Sequence, residues 1–152
     1  MPTKNSIAKV YVMGDSLADV GTFGGIKFTV QDPVKPNNSL IWTQVIANIL
    51  GLDGGAQCNF YAFTGTFVLN TAAGCTNYAI GGGRIRVKDA EFVAPDPLTG
   101  VAPNPKTVGT QMAARALAGD YNSNDLVLIV GGGNDAADLT TAHPPQANWQ
   151  PN

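Results

Sequence analysis

Histidine is almost missing from this chain of 152 residues: His143 is the single one. With only Cys58 and Cys75 beside it, no ligand set of the kind that holds zinc is present, and neither a metal nor another cofactor is expected. Positive charge is also scarce. Nine Lys and Arg against eleven Asp and Glu leave a formal charge of -2 with no basic stripe to neutralise phosphates, which excludes nucleic acid as a partner. Long apolar runs are lacking too: the longest, Leu126 to Val130, falls far short of the roughly 20 residues that cross a bilayer. No Gly-Lys-Ser or Gly-Lys-Thr occurs, and the glycines at 81 to 83 continue as Arg84-Ile85-Arg86 without the last glycine of a dinucleotide fingerprint, so nucleotide binding is disfavoured. The opening Met-Pro-Thr-Lys-Asn-Ser carries no apolar h-region, as in a cytosolic protein or one whose leader lies outside this sequence. Small neutral or weakly polar substrates remain the fitting ligands.

What the chain does have is glycine and proline, 18 and 10 of them, in a composition 44% hydrophobic and 13% charged. That describes a loop-rich globular chain, and its length suits one domain with a real core. Cys58 and Cys75 stand 17 positions apart among Gly, Thr and Asn. They either close a loop worth about 3 kcal/mol or sit as buried thiols.

Lys9 to Met13 is β-branched and aromatic and stops at Gly14, which predicts a short buried strand. After Ser39, a candidate N-cap, Ile41, Trp42, Val45, Ile46, Ile49 and Leu50 recur at helical spacing before Gly51 in the C-cap position. On that stripe Trp42 is expected in the core. Residues 51 to 75 read as a long excursion that shapes a pocket, with a hairpin around Phe60 to Val68. Thr76 to Ile80 predicts a second strand ending on Gly81-Gly82-Gly83. A surface loop over 88 to 106, with Pro95, Pro97, Pro103 and Pro105, precedes a helix from Val108 to Leu117 stopped by Gly119. Its inward face is read as Val108, Met112, Ala113, Ala116 and Leu117. Leu126 to Val130 predicts an apolar strand ending on Gly131-Gly132-Gly133, and 143 to 152 a loop. Apolar strands alternating with helices indicate a doubly wound α/β fold with a parallel sheet, whose ligands bind at the carboxyl ends of the strands. All three strands end there in glycine-rich polar turns.

A serine in such a turn places its hydroxyl at the rim of the sheet, where backbone amides favour the negative charge of a tetrahedral oxyanion. Ser16 fits a nucleophile. The glycine amides at 81 to 83 and the side-chain amide of Asn134 fit oxyanion donors, since glycine lets the backbone approach a ligand closely. Gly-Asp-Ser-Leu alone is also an ordinary strand-to-helix turn with a serine cap; three such turns in order make chemistry the better reading. Asp15 and Asp135 are read as braces on backbone amides, and Arg84 and Arg86 as a solvated face.

Gly-Asp-Ser-Leu-Ala-Asp-Val-Gly at 14 to 21, Asn-Tyr-Ala-Ile-Gly-Gly-Gly-Arg at 77 to 84 and Gly-Gly-Asn-Asp at 132 to 135 resemble, in order, the first three blocks of the SGNH hydrolases, the GDSL esterases and lipases. The resemblance implies a three-layer, flavodoxin-like sandwich and a serine hydrolase of carboxylic esters acting on a lipid, aryl or sugar ester. By position it implies Ser16 as nucleophile and Gly82 and Asn134 as oxyanion donors with the Ser16 amide; Gly82 lies five residues after Asn77, with Gly81 and Gly83 as alternatives. Leu40-Ile41-Trp42 and 125 to 130 are similar to the larger lipolytic branch, whose members are often secreted, which implies an extracellular or periplasmic home.

The family's fourth block, Asp-x-x-His, is not found. His143 follows Asn134 by nine residues and has Thr140 where the aspartate would stand, so it reads as a tail histidine. The expectation is therefore that residues 1 to 152 are the N-terminal part of a single hydrolase domain, with Asp and His supplied by a C-terminal remainder or a second chain that completes the sheet. The rival readings are a carbohydrate- or ligand-binding module that kept the rim without the base, and an acyltransferase on the same site.

Overall fold

The computed structural model describes residues 6–29, 39–52, 58–72, 74–85, 96–98 and 101–142, with the backbone alone for 139–142. The tail with His143 and the side chain of Arg86 lie outside them. The fold is mixed α/β. Strand β1 (Lys9–Gly14) runs parallel to β4 (Asp125–Val130), with Lys9 opposite Asp125 and Gly14 opposite Val130. On its other side β1 pairs with residues 76 to 80: the Val12 amide donates to Thr76 O at 3.0 Å, Tyr78 to Val12 O at 2.7 Å and Ile80 to Gly14 O at 3.1 Å. That segment was expected as a strand. It makes the parallel bond pattern with one bridge to β1, Val12 to Asn77, and Asn77 also bridges Asn59.

Successive side chains of a strand face opposite ways, and β1 uses both faces. Tyr11 and Met13 pack with Tyr61, Tyr78, Ile80 and two residues of helix α2 (Val108–Leu117), Val108 and Ala114. Val10 and Val12 pack with Ala18, Ala79 and Ala47 of helix α1 (Trp42–Ile49). The two helices thus cover opposite faces of β1.

Helix α1 is capped differently from the sequence reading. Ile41 is its N-cap, with its amide donating to Gln44 Oε1 at 3.1 Å, while the Ser39 carbonyl accepts from buried Lys27 Nζ at 2.6 Å. Its core-facing residues are Thr43, Gln44 and Ala47, and Trp42 is 38% exposed. The expected core role for Trp42 is therefore corrected: its indole N–H donates to the Leu17 carbonyl at 2.8 Å, which holds the ring beside the first turn.

Helix α2 has the expected limits. Thr107 caps it by accepting from the Thr110 amide, and Gly119 follows with φ +115°. Its buried face is Val108, Thr110, Gln111, Ala114 and Arg115, whereas Met112 and Leu117 are exposed. The polar members are buried with side-chain hydrogen bonds to partners around the helix. Arg115, for one, donates to Gly119 O and Asp120 O past the helix end and to the Tyr11 hydroxyl.

The hairpin forms as β2 (Tyr61–Phe63) against β3 (Phe67–Leu69), antiparallel, with Phe63 opposite Phe67. The Cys58–Cys75 disulfide closes the excursion, so the open question about these cysteines is answered by a bond. Residues 96–98 and 101–106, the described parts of the proline-rich stretch, hold neither helix nor strand. Helix α3 (Gly133–Ala142) starts directly on the third glycine turn.

Candidate active site

The first turn leaves β1 at Gly14. The Asp15 carbonyl accepts the amides of Ala18 at 3.0 Å and Asp19 at 3.1 Å, while Asp15 Oδ1 accepts Leu17 N–H at 2.9 Å. These bonds curl residues 15 to 19 into a tight turn with Ser16 half-buried at its start. Among the described residues neither the amide nor the hydroxyl of Ser16 has a hydrogen-bond partner.

Two buried side chains weld this turn to the second. Asp19, fully buried, accepts Gly21 and Thr22 amides on Oδ1, both at 2.8 Å, and Gly81 N–H on Oδ2 at 2.7 Å. Burial pushes its carboxyl above the usual carboxylate range, against the opposing effect of those amide donors. Asn77, also fully buried, donates to the Ala18 carbonyl at 2.9 Å and accepts the Ala79 amide at 3.0 Å.

The second turn sorts its three glycines. The Gly81 amide is held by Asp19 and the Gly83 amide by the Ile80 carbonyl at 2.9 Å. The Gly82 amide has no partner among the described residues. Gly82 has φ +78°, a left-handed value that glycine adopts without strain. Gly83 sits so close to the first turn that a Cβ there would lie 2.6 Å from the Gly14 carbonyl oxygen and 3.1 Å from Asp15 Cα.

The third turn is fastened to the second by helix α3. Asn134 Nδ2 donates to the Gly83 carbonyl at 2.7 Å, which leaves its other amide hydrogen without an acceptor among the described residues. Asp135 Oδ2 accepts Ile85 N–H at 3.0 Å, and Asp138 holds Arg84 through two bonds of 2.6 and 2.9 Å. The braces expected of Asp15 and Asp135 are present. Arg84 lies on a part-exposed face, where it clamps Asp138 and also donates to Gly82 O at 3.2 Å. Below the site, Gln111 of α2 accepts Gly14 N–H at 2.7 Å and donates to Gly14 O at 3.0 Å.

Ser16, Gly82 and Asn134 thus lie on three turns that are bonded to one another. The sequence reading missed Asp19 and Gln111. Asp19 lay in plain view inside the first block, three residues after Ser16. Gln111 shares the i, i+3 spacing of Val108 and Ala114, a signal hidden by looking for apolar residues only. A cavity of about 710 Å³ opens elsewhere, at the amino end of β1 between Tyr11, Phe60, Tyr78 and Arg115, away from Ser16. No group of three or more His, Cys, Asp or Glu able to hold a metal occurs among the described residues.

Parallel pairing on β1 with helices on its faces, and glycine turns bonded together at its carboxyl end, define an α/β protein with a rim site of the kind that such sheets present. The sequence model of the GDSL-like Lipase/Acylhydrolase family matches residues 10–151, and the chain belongs to that family. Searches of curated proteins and of solved structures returned no match. No described helix is long and apolar enough to cross a membrane.

Proposed function

We propose that the protein is a serine hydrolase of carboxylic esters, with Ser16 as nucleophile and the Ser16 amide, the Gly82 amide and the Asn134 side chain as oxyanion donors. The observation that carries this reading is the sorting of the glycine turn. Asp19 and the Ile80 carbonyl occupy the amides on either side, so the one unengaged donor, Gly82, is the position that the family pattern selects. Backbone donors fixed before the reaction stabilise an oxyanion without reorganising, and removing one such donor typically costs roughly 10² to 10³ in turnover. In this reading Ser16 Oγ attacks the ester carbonyl, the alcohol leaves, and water releases the acyl group from the serine.

The parallel sheet with helices on both faces is consistent with a three-layer, flavodoxin-like domain of which these residues form the N-terminal part. The disulfide favours an oxidising, extracytoplasmic home. Ser16 needs a base, and no Asp-x-x-His occurs in the sequence. We infer that a C-terminal remainder or second polypeptide supplies it.

The test is phosphonylation by an alkyl fluorophosphonate, with and without imidazole as a stand-in base. One phosphonyl group is expected on the peptide containing Ser16, formed faster with imidazole and absent from Ser16→Ala. An unlabelled Ser16 in both conditions would overturn the reading.

A further inference from the structure

We propose that the aromatic cluster beside the second glycine turn is the acyl subsite of this enzyme, and that it selects esters whose acyl group carries an aromatic ring. The proposal rests on the hydrolase reading above for its ester, and on separate observations for its place and preference.

The place follows from Gly81. A Cβ on Gly81 would lie 2.6 Å from the edge of the Phe28 ring and 3.2 Å from Phe23, so both rings rest against the backbone one residue before the Gly82 donor. Phe23 is the hub. Its ring centroid lies 6.3 Å from Phe28, 5.4 Å from Phe63 and 6.1 Å from Phe67, at interplanar angles of 76°, 52° and 73°. The hairpin that carries Phe63 and Phe67 is tied to the first turn's exit by Phe63 N–H to Thr22 O at 2.9 Å.

The outer members are open: Phe28 is 47% exposed and Phe63 40%. Two half-exposed rings flanking a third, next to a turn with an unengaged amide, form a shelf that continues the reaction site. On its edge Lys106 Nζ stands 5.7 Å over the Phe23 ring.

The preference follows from the angles. Tilted and edge-on rings present both faces and edges, and a flat guest ring meets them in the offset or T-shaped pairings that aromatic groups favour beyond area burial. A saturated ring of the same carbon count gains the burial alone.

Binding, which requires no catalytic base, tests this. Two-dimensional amide spectra of the 152-residue chain are recorded during titration with methyl cinnamate and with its saturated-ring analogue, methyl cyclohexylacrylate. Methyl cinnamate is expected to shift Gly81, Gly82, Phe28 and Phe63 and to bind roughly threefold or more tighter than the analogue. Phe28→Leu, at a half-exposed site that a folded chain tolerates, should abolish that difference and leave affinity for the analogue in place.

Equal affinities in the wild type, a preference that survives Phe28→Leu, or shifts that avoid Gly81 and Gly82 would each overturn the proposal. Phosphonylation of Ser16 separates the two readings. A labelled Ser16 with no aromatic preference sinks the shelf alone, while an unlabelled Ser16 with the preference intact sinks the hydrolase reading and leaves the shelf as a ligand site.

Discussion

Gln111 bonds both polar groups of Gly14 and is the partner of its N–H, so one buried side chain from another element helps hold the end of β1 beneath the turn carrying Ser16. Replacing it by Leu keeps the volume and strands the Gly14 N–H donor, at about 1–3 kcal/mol, while Gly14 O keeps the Ile80 amide. Gln111→Leu should therefore lose about 1–3 kcal/mol in urea unfolding; a loss below about half a kcal/mol would show that water satisfies the Gly14 amide instead. Asp19 makes a pH-dependent case. Burial raises its carboxyl above 3.8, so the folded state binds its proton more readily than the unfolded chain. Its contribution is fully present below that unfolded value and is lost as pH rises through the folded value. Asp19→Asn has no such titration and turns an N–H toward the Gly81 amide. It should be destabilised by about 1–3 kcal/mol near neutrality, and by more as pH falls toward 4. A deficit that shrinks on acidification contradicts the assignment. In the glycine turn, Gly82→Ala meets only ordinary contact, with Lys106 Nζ 3.7 Å from the new Cβ, and carries a left-handed backbone penalty of roughly 1–2 kcal/mol. Gly83→Ala has an ordinary φ and no room, because the Gly14 carbonyl would lie 2.6 Å away. Thermal melts should rank Gly83→Ala as the more damaging.

The disulfide acts at the level of elements. Cys75 immediately precedes the segment that pairs with β1, and the Asn77 amide bonds back to the Cys58 carbonyl. Opening a loop of this size typically costs about 3 kcal/mol. Under a phosphine reductant the midpoint denaturant should fall accordingly, and amide exchange at Asn77 and Tyr78 should accelerate more than in α2; uniform exchange would mean the bond serves the whole fold instead. How much of these elements was legible in the sequence depended on what held them. Helix α2 and the hairpin are set by local signals, Thr107 and Gly119 at the helix ends and a dense run of aromatics at the strands, and both lie where the sequence puts them, the helix by its period and the hairpin by its turn formers. The inward faces were not legible. Gln111 points inward to a partner 97 residues away, and Arg115, besides its local bonds, reaches Tyr11 104 residues away, contacts that no local window contains. Trp42 failed as a core residue for the same reason, its indole being claimed by Leu17. At the site, the blocks named Ser16, Gly82 and Asn134, but the braces Asp19 and Gln111 emerged only from contacts between turns.

At the scale of the whole molecule, chemistry and solubility both turn on what lies beside β4. Among the described residues β4 pairs with β1 alone, so its other edge has no strand partner, and Ile129 on it is 53% exposed. An apolar strand edge of this kind templates further pairing unless covered. The same chain holds a serine turn without an Asp-x-x-His, and a serine hydroxyl lacking its adjacent base typically loses roughly 10⁴ to 10⁶ in turnover. On the proposal made above, a polypeptide that adds a strand to β4 and brings a histidine to Ser16 would meet both needs. On its own, then, this polypeptide should hydrolyse a short-chain aryl ester barely above the rate of Ser16→Ala, and it should self-associate in light scattering. Ile129→Lys, on the exposed side of β4, should shift the association toward monomer without changing the residual rate, since a charge there opposes pairing and Ile129 is not a site residue. Brisk turnover abolished by Ser16→Ala would place the base within these residues, with His143 the one histidine able to serve. A monodisperse monomer that unfolds cooperatively would show instead that the edge is already covered.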